Sequence, residues 1–168
     1  MNTPVDIAAL HAAIKSALAA QCPTVTVDYY GRPGDKVATP GILFELESID
    51  AEQPPDMGTE QLPVVLRFNA YAVRQFGEKD ANKLAVRTLT AAVMSFIRGN
   101  KWGLAIGAAR VIGADPARIE TDEYEVMRIE WEHDAILGTD VWIDDGDLPT
   151  EVNVSEQGNP PAVLHPAE

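Results

Sequence analysis

Two stretches of the chain repeat their apolar residues with the period of a helix. Residues 5–20 carry apolar side chains at spacings of three and four positions, and many of the residues between them are alanines, which favour helix. Residues 80–98 show the same spacing. Their predicted buried stripe consists of Leu84, Leu89, Val93, Phe96 and Ile97. Because each helix has a single apolar stripe, each needs a sheet face against which to bury it.

Five further segments have the β-branched content or the two-residue alternation that is typical of strands. They lie at 24–30, 42–49, 62–76, 110–112 and 124–137. Together with the two helices they predict an α/β (α+β) fold. We expect a mixed, mostly antiparallel sheet of four to five strands, with the two main helices packed on it.

The segments between these elements are rich in proline, glycine and acids. Residues 50–61 join two strands that are consecutive in the chain and should therefore pair as a hairpin. The long acidic tip of this hairpin should project into solvent, which makes Asp56 and Met57 candidate contact residues. Residues 113–116, with the sequence GADP, predict a turn.

The alternation of the last predicted strand decides whether its acidic residues can form a catalytic or metal site. Glu132 and His133 point to opposite faces and cannot jointly hold a metal ion. Glu130 and Glu132 share a face at roughly 7 Å, a separation compatible with a glycosidase carboxylate pair. However, Arg128 joins them there, and paired charges on the polar face of a strand are the ordinary case. We therefore expect no catalytic residue, no cofactor and no metal.

Charge divides the chain into two parts. The net charge is −13, and residues 139–168 contain seven acids and no lysine or arginine. Such a chain lacks the clustered bases that wrapping a nucleic acid requires. We therefore predict one domain at 1–138 and a partly disordered acidic arm at 139–168. Within the arm, Trp142 and Ile143 either tuck against their own domain or anchor the arm on a neighbouring subunit.

Composition indicates the kind of compartment in which the protein folds. Cys22 is the lone cysteine, so a disulfide within the chain and a multi-cysteine zinc site are both excluded. No apolar run approaches the roughly 20 residues of a membrane span, and the first residues lack the basic start of a secretory signal. These features are typical of a protein that folds in a reducing cytoplasm.

Two segments resemble a known family. IEWEHDAILGTDVW at 129–142 resembles the closing segment of the small tail-terminator and tail-completion proteins of long-tailed bacteriophages, in which a strand with an aromatic residue leads through an apolar-glycine turn to a VW-like pair. The helix with its continuation at 80–103, placed before a late pair of strands, is also similar to theirs. The resemblance covers roughly residues 5–143, and the acidic arm beyond it has no counterpart in the family.

The resemblance implies a non-enzymatic virion protein. Such proteins form a ring, usually a hexamer, at the head-proximal end of the phage tail tube, where they end tube polymerisation and join the tail to the head connector. The implied partners are further copies of the chain, the tail tube protein and the head connector or completion protein. DNA would pass through the ring without specific binding, no membrane would be involved, and assembly would take place in the host bacterial cytoplasm. The candidate interface residues are Trp142, Ile143, Asp56, Met57 and Trp131.

Three other functions remain open from the sequence. A neck or head-tail connector component of a phage would share the fold and the composition. An unrelated intracellular adaptor would be a monomer or a dimer. A small hydrolase using Glu130 and Glu132 would need a cleft around them.

Overall fold

The structure is a computed structural model, and it describes residues 4–30, 38–51, 61–75, 79–117, 124–138, 152–154 and 162–164. Two helices and seven strands lie within these ranges. In chain order they are α1 (Ile7–Gln21), β1 (Thr26–Tyr29), β2 (Gly41–Ala51), β3 (Leu62–Gln75), α2 (Lys79–Ile97), β4 (Arg110–Pro116), β5 (Tyr124–Leu137), β6 (Val152–Val154) and β7 (Ala162–Leu164). None of the described helices is long and apolar enough to cross a membrane.

The first five strands form one sheet in the order β1-β2-β3-β5-β4. β1 pairs with β2 in parallel, and the other three pairs are antiparallel. The predicted fold class is confirmed: the sheet is mixed and mostly antiparallel, and it carries two helices. At its centre β3 and β5, of 14 residues each, pair over their whole length from Leu62 with Leu137 to Gln75 with Tyr124.

α1 supplies one part of the core. Its buried residues Leu10, Ile14 and Leu18 recur every four positions, so they form a single stripe that packs with the sheet residues of the core. The helix starts where the Asp6 carboxylate accepts hydrogen bonds from the N–H groups of Ala8 at 2.8 Å and Ala9 at 3.3 Å. The helix predicted at 5–20 is therefore confirmed.

The middle of the core is an aromatic pair on the two central strands. Phe68 of β3 and Trp131 of β5 are cross-strand partners, and both are fully buried. Their rings stack with centroids 5.2 Å apart and planes 12° from parallel. Such a pair stabilises the sheet through both apolar burial and ring contact.

The buried stripe of α2 differs from the prediction at Leu84, whose side chain is 68% exposed. A helix advances 100° per residue, so Leu84 lies about 180° around the axis from the buried Val93. The fully enclosed positions are Val86, Thr90, Val93 and Ile97. Thr90 is accommodated there because its hydroxyl donates to the Val86 carbonyl at 2.8 Å. The prediction for Leu84 is wrong because this residue has the apolar character of the stripe but not its angular position.

The predicted turn at 113–116 is also wrong, because these residues belong to β4. Gly113 pairs with Glu130, and the register shifts between Val111 and Gly113. Such an irregularity accommodates a glycine within a strand. Pro116 is tolerated because it is the last residue of a strand at the edge of the sheet, where a missing N–H breaks no central hydrogen bond.

The hairpin between β2 and β3 and the C-terminal arm are only partly described. β2 and β3 pair as far as Ala51 with Val64, which confirms the predicted hairpin, while its tip with Asp56 and Met57 lies outside the described residues. In the arm, Trp142 and Ile143 also lie outside the described residues. β6 and β7, which the sequence pattern did not predict, pair with each other in a separate two-stranded sheet.

We expect that deletion of residues 144–168 leaves the thermal unfolding midpoint of the domain nearly unchanged. The physical reason is that β6 and β7 are not hydrogen-bonded to any strand of the five-stranded sheet. Circular dichroism melts of the full and truncated chains in the same buffer would measure the difference. A drop of more than a few degrees would show that the arm supports the domain and that the boundary near residue 138 is misplaced.

Candidate functional site

The sheet face opposite the helices carries a dense set of charged side chains. We call it the charged face. The register of β2 to β5 places on it Glu45, Ser48, Asp50, Arg67, Asn69, Tyr71, Arg110, Asp115, Arg128, Glu130, Glu132 and Asp134. Since cross-strand partners stand side by side, these residues form rows that run across four strands.

At one end of the charged face, Arg110 holds two carboxylates. Its guanidinium is bidentate on Asp134, with Nη1 on Oδ2 and Nη2 on Oδ1 at 2.7 Å, and its Nε donates to Glu132 at 3.1 Å. Hydrogen bonding from Arg110 lowers the pKa of Asp134 below its usual value. Arg67 continues the row, 3.0 Å from Asp50 and 3.9 Å from the other oxygen of Glu132. These carboxylates belong to an ion-pair network that extends from β2 across β3 and β5 to β4.

The other end of the charged face is ordered in the same way. Arg128 contacts Asp115 at 3.2 Å across the β4–β5 pair. The Tyr71 hydroxyl donates to Glu45 Oε1 at 3.0 Å. Burial, together with the negative charge of Glu45, raises the pKa of Tyr71 to about 12, so the phenol stays protonated and keeps donating at neutral pH.

The charged face has more acids than bases. The six carboxylates and three arginines that the register places on it from β2 to β5 sum to a charge of −3. At its centre Asn69 is only 2% exposed and stands between its cross-strand partners Glu45 and Glu130. The face is therefore a firm, mildly acidic surface that repels phosphate and offers it no cluster of bases.

One member of the candidate carboxylate pair, Glu132, belongs to this ion-pair network. Glu130 and Glu132 lie on one face, as the alternation predicted, and Arg128 lies beside them. Each oxygen of Glu132 has an arginine near it: Arg110 for Oε1 and Arg67 for Oε2. Among the described residues, no group of three or more His, Cys, Asp and Glu side chains is arranged to hold a metal ion. In this geometry Glu132 is the ion-pair partner of Arg67 and Arg110.

The helix side of β5 contains a buried polar contact that sequence reasoning missed. His133 is fully buried, and its Nδ1–H donates to the Gly107 carbonyl at 2.8 Å. Its Nε2 accepts from the indole N–H groups of Trp102 at 2.9 Å and Trp131 at 3.3 Å. Burial lowers the pKa of His133, which keeps the ring neutral. The alternation had placed His133 and Trp131 on one face, but Trp102 is 31 residues away in sequence, and no local pattern signals that contact.

Hydrogen bonds of the Gly107 backbone attach segment 98–109 to β5. The Gly107 N–H donates to the Asp134 carbonyl at 2.7 Å, and a Cβ on Gly107 would come within 3.0 Å of the Asp134 backbone oxygen and Cβ. Trp102 reaches His133 from a left-handed backbone conformation at φ 56°, where its N–H is held by the Asn100 side chain at 2.8 Å. The segment is thus fixed at two points on β5.

An open groove lies beside this segment, where β3 begins and β5 ends. Its volume is about 440 Å³. Most of its lining is apolar, and two charged residues, Lys101 and Asp134, border it. The apolar lining consists of Pro63, Val64, Leu104, Ala105, Ile106, Gly107, Ala135 and Ile136.

The predicted interface residues are not brought together by the described part of the structure. Trp131 is fully buried between Phe68 and the helices, so a folded subunit does not present its side chain to a partner. The other four candidates lie outside the described residues.

No protein-family model matches the chain, and no curated protein matches it. Among solved structures, a chain of the "Virion of native gene transfer agent (GTA) particle" is similar, with a TM-score of 0.49 and 17% sequence identity. The similarity covers 72% of this chain and 85% of that chain. A similarity of this degree does not identify a function.

We expect Gly107→Ala to destabilise the domain, whereas Gly113→Ala should be nearly neutral. The added methyl at 107 meets the Asp134 backbone at 3.0 Å, and nothing lies within 4 Å of the same group at 113. Overpacking of this kind costs about 1–3 kcal/mol. Urea unfolding of the two variants would measure the difference. Equal free energies of unfolding would mean that the contact of segment 98–109 with β5 is not tight.

We expect acid to destabilise the protein through His133. Because the pKa of His133 is lower in the folded state than in the unfolded state, the stability is fully present above the unfolded value, about 6.5, and is lost as the pH falls below it. Protonation would also set an N–H of His133 against two indole N–H groups. Asp134, whose pKa is also lowered, acts in the same direction but only below about pH 4.

The measurement is the thermal midpoint from pH 8 to pH 5 for the wild type and for His133→Gln. Glutamine keeps a donor and an acceptor but does not titrate in this range. The wild-type midpoint should fall more steeply below pH 6.5 than that of the variant. Parallel curves would show that His133 does not control the acid response.

Proposed function

We propose that this protein is a structural component of a bacteriophage virion and that it acts as the tail terminator. In this role it forms a ring, most simply a hexamer, at the head-proximal end of the tail tube. The ring ends tube polymerisation and joins the tail to the head connector. The observation that carries the proposal is the sheet itself, with helices on one face and an ordered acidic surface on the other.

The charged face suits the wall of a channel through which DNA passes. A channel of this kind must keep DNA from adhering, and a net negative, ion-paired surface repels phosphate without offering clustered lysines or arginines. The arginines of the face are held by carboxylates, as in the bidentate contact of Arg110 with Asp134. Their charges are thereby offset locally, and their side chains are fixed in the plane of the network.

A ring also needs two different contact patches on every subunit, because its interfaces are heterologous. The tip of the hairpin that joins β2 to β3 and the arm that follows Gly138 are the segments that we assign to the two patches. Trp142 and Ile143 are the proposed anchors of the arm, and Asp56 and Met57 are proposed contacts of the hairpin tip. Trp131 acts indirectly in this scheme, since it holds the strand from which the arm departs.

Electrostatic repulsion opposes the proposed assembly. Six copies at −13 each would carry −78. That charge is tolerable where it faces a channel or is spread along arms, and it is screened by salt. The Debye length falls from about 10 Å at 0.1 M to about 3 Å at 1 M ionic strength.

We therefore expect assembly to strengthen as salt is raised, and Trp142→Ala to weaken it. Sedimentation velocity from 0.05 M to about 1 M salt, followed by negative-stain imaging, would reveal the ring. Leu84→Ala is the matched control, because it truncates an exposed apolar residue on α2 that the proposal does not use. We expect this control to assemble like the wild type.

Added tail tubes distinguish a terminator from another neck protein. A terminator caps one end of a purified tube and prevents its further growth. A ring that binds connectors but ignores tubes would instead identify a neck component. A chain that stays monomeric at every salt concentration, even with tubes present, would contradict the ring.

A further inference from the structure

Two carboxylates of the charged face have no arginine as a partner. The four that form ion pairs with arginines are Asp50, Asp115, Glu132 and Asp134. Within the described part of the chain, the other two, Glu45 and Glu130, form no ion pair. They account for −2 of the net −3 that the register places on this face. The uncompensated charge of the face is therefore concentrated on Glu45 and Glu130.

The two carboxylates stand on either side of Asn69. The register pairs Asn69 of β3 with Glu45 of β2 and with Glu130 of β5, so the three side chains form one row. Neighbouring strands lie about 4.8 Å apart, which puts the two glutamate backbones about 10 Å apart. The next member of the row is Gly113 of β4, and nothing lies within 4 Å of where its Cβ would be. The row thus leaves both glutamates room to lean over Asn69.

Asn69 adds a third oxygen to this row. Its side chain is only 2% exposed, and its Oδ1 is buried without a hydrogen-bond partner. A carbonyl oxygen can only accept, and its neighbours in the row are carboxylates, which in the ionised state are also acceptors only. A buried acceptor without a partner is destabilising. The three oxygen ligands therefore lack a cation or a proton donor.

The bases nearest to the row are held by other acids. Arg128, two residues before Glu130 on β5, contacts Asp115 at 3.2 Å. On the other side of the row, Arg67 lies 3.0 Å from Asp50. These arginines keep the neighbouring rows close to neutral and leave the row of Asn69 without a base.

Tyr71 fixes one of the two glutamates. Its hydroxyl donates to Glu45 Oε1 at 3.0 Å, which holds the carboxylate in place and leaves Oε2 open to a further contact. Because the pKa of Tyr71 is raised to about 12, this hydroxyl remains a donor at neutral pH. Tyr71 is thus a positioning residue for the row.

We propose that Glu45, Asn69 and Glu130 bind a divalent metal cation, with calcium the best match. All three ligand atoms are oxygens, which hard cations prefer, and the two carboxylates balance the charge of the ion. Calcium accepts irregular geometry and completes its shell with water, whereas magnesium requires near-ideal octahedral geometry. The three residues belong to one subunit, so the site does not depend on the proposed ring.

Strand pairing explains why the sequence predicted no metal. That expectation came from neighbours along β5, where Glu132 contacts two arginines and His133 faces the other side. Glu45 and Asn69 join Glu130 only through the register of three strands. The set contains two carboxylates and one amide, so it differs from the clusters of three or more His, Cys, Asp and Glu that the described residues lack.

Calcium should raise the thermal unfolding midpoint, because an ion that binds only the folded state stabilises it. The titration runs from about 0.1 to 10 mM calcium chloride, which covers the range of weak calcium sites. Sodium chloride keeps the ionic strength constant, so that screening of the −13 charge does not change. Magnesium chloride at the same concentrations should give a smaller rise.

A matched pair of variants separates the site from general charge effects. Glu130→Gln should lose most of the calcium response. Glu125→Gln removes the same charge from the opposite face of the same strand and should keep the response. Equilibrium dialysis against calcium chloride should find about one ion per chain fewer in Glu130→Gln than in Glu125→Gln. Equal responses and equal ion counts in the two variants would overturn the proposal.

Substitution of Asn69 distinguishes a ligand from a structural residue. Asn69→Asp adds a third carboxylate and should move the calcium titration to concentrations several-fold lower than in the wild type. Asn69→Leu has a similar shape and no oxygen, and it should fold without a calcium response. A purely structural role for Asn69 does not predict tighter binding in Asn69→Asp. If this variant binds calcium no more tightly than the wild type, the proposal fails.

Discussion

The pairing of β3 with β5 is the interaction on which the rest of the structure depends. It runs for 14 residues in unbroken register, and each of its pairs fixes two faces at once. The pair Phe68–Trp131 faces the helices, while the next pair, Arg67–Glu132, faces the other side. A slip of β5 by one residue would turn Glu132 towards the core and Trp131 towards water, and it would break both pairs. The apolar core and the charged face are therefore two results of the same register.

Fixing β5 in this way also determines what lies beyond it. His133, on the same face as Trp131, accepts a hydrogen bond from the indole N–H of Trp102, and this contact holds segment 98–109 against the end of the strand. Gly107 completes the attachment through hydrogen bonds to His133 and Asp134. The groove exists because this segment lies beside the end of β5 and does not continue as a strand. A buried neutral histidine thus contributes to the shape of a surface that it does not itself reach.

The sequence was sufficient for features that depend on local periodicity and insufficient for those that depend on distant contacts. Alternation in β5 correctly assigned Glu130 and Glu132 to one face, because strand geometry leaves no other choice. It failed at 113–116, where glycine and proline indicate a turn in isolation but occupy an edge strand once β5 offers a register. The contact between Trp102 and His133 depends on a left-handed backbone at Trp102, which no propensity predicts for tryptophan. The β6–β7 ribbon was missed because its strands have three residues each, too few to establish a period.

The distribution of charge imposes the final constraint. The arm carries −7, so the first 138 residues carry the remaining −6 of the total of −13. More than half of the charge is thus placed on 30 residues at one end of the chain, and most of it lies in the linker before β6. If those acids lined an interface, every added subunit would raise the electrostatic cost of assembly. All seven of these acids follow β5 in the chain, so the ion-paired rows on β2 to β5 are built without them. Since salt screens like charges, the electrostatic cost that the arm adds to assembly falls as the ionic strength rises.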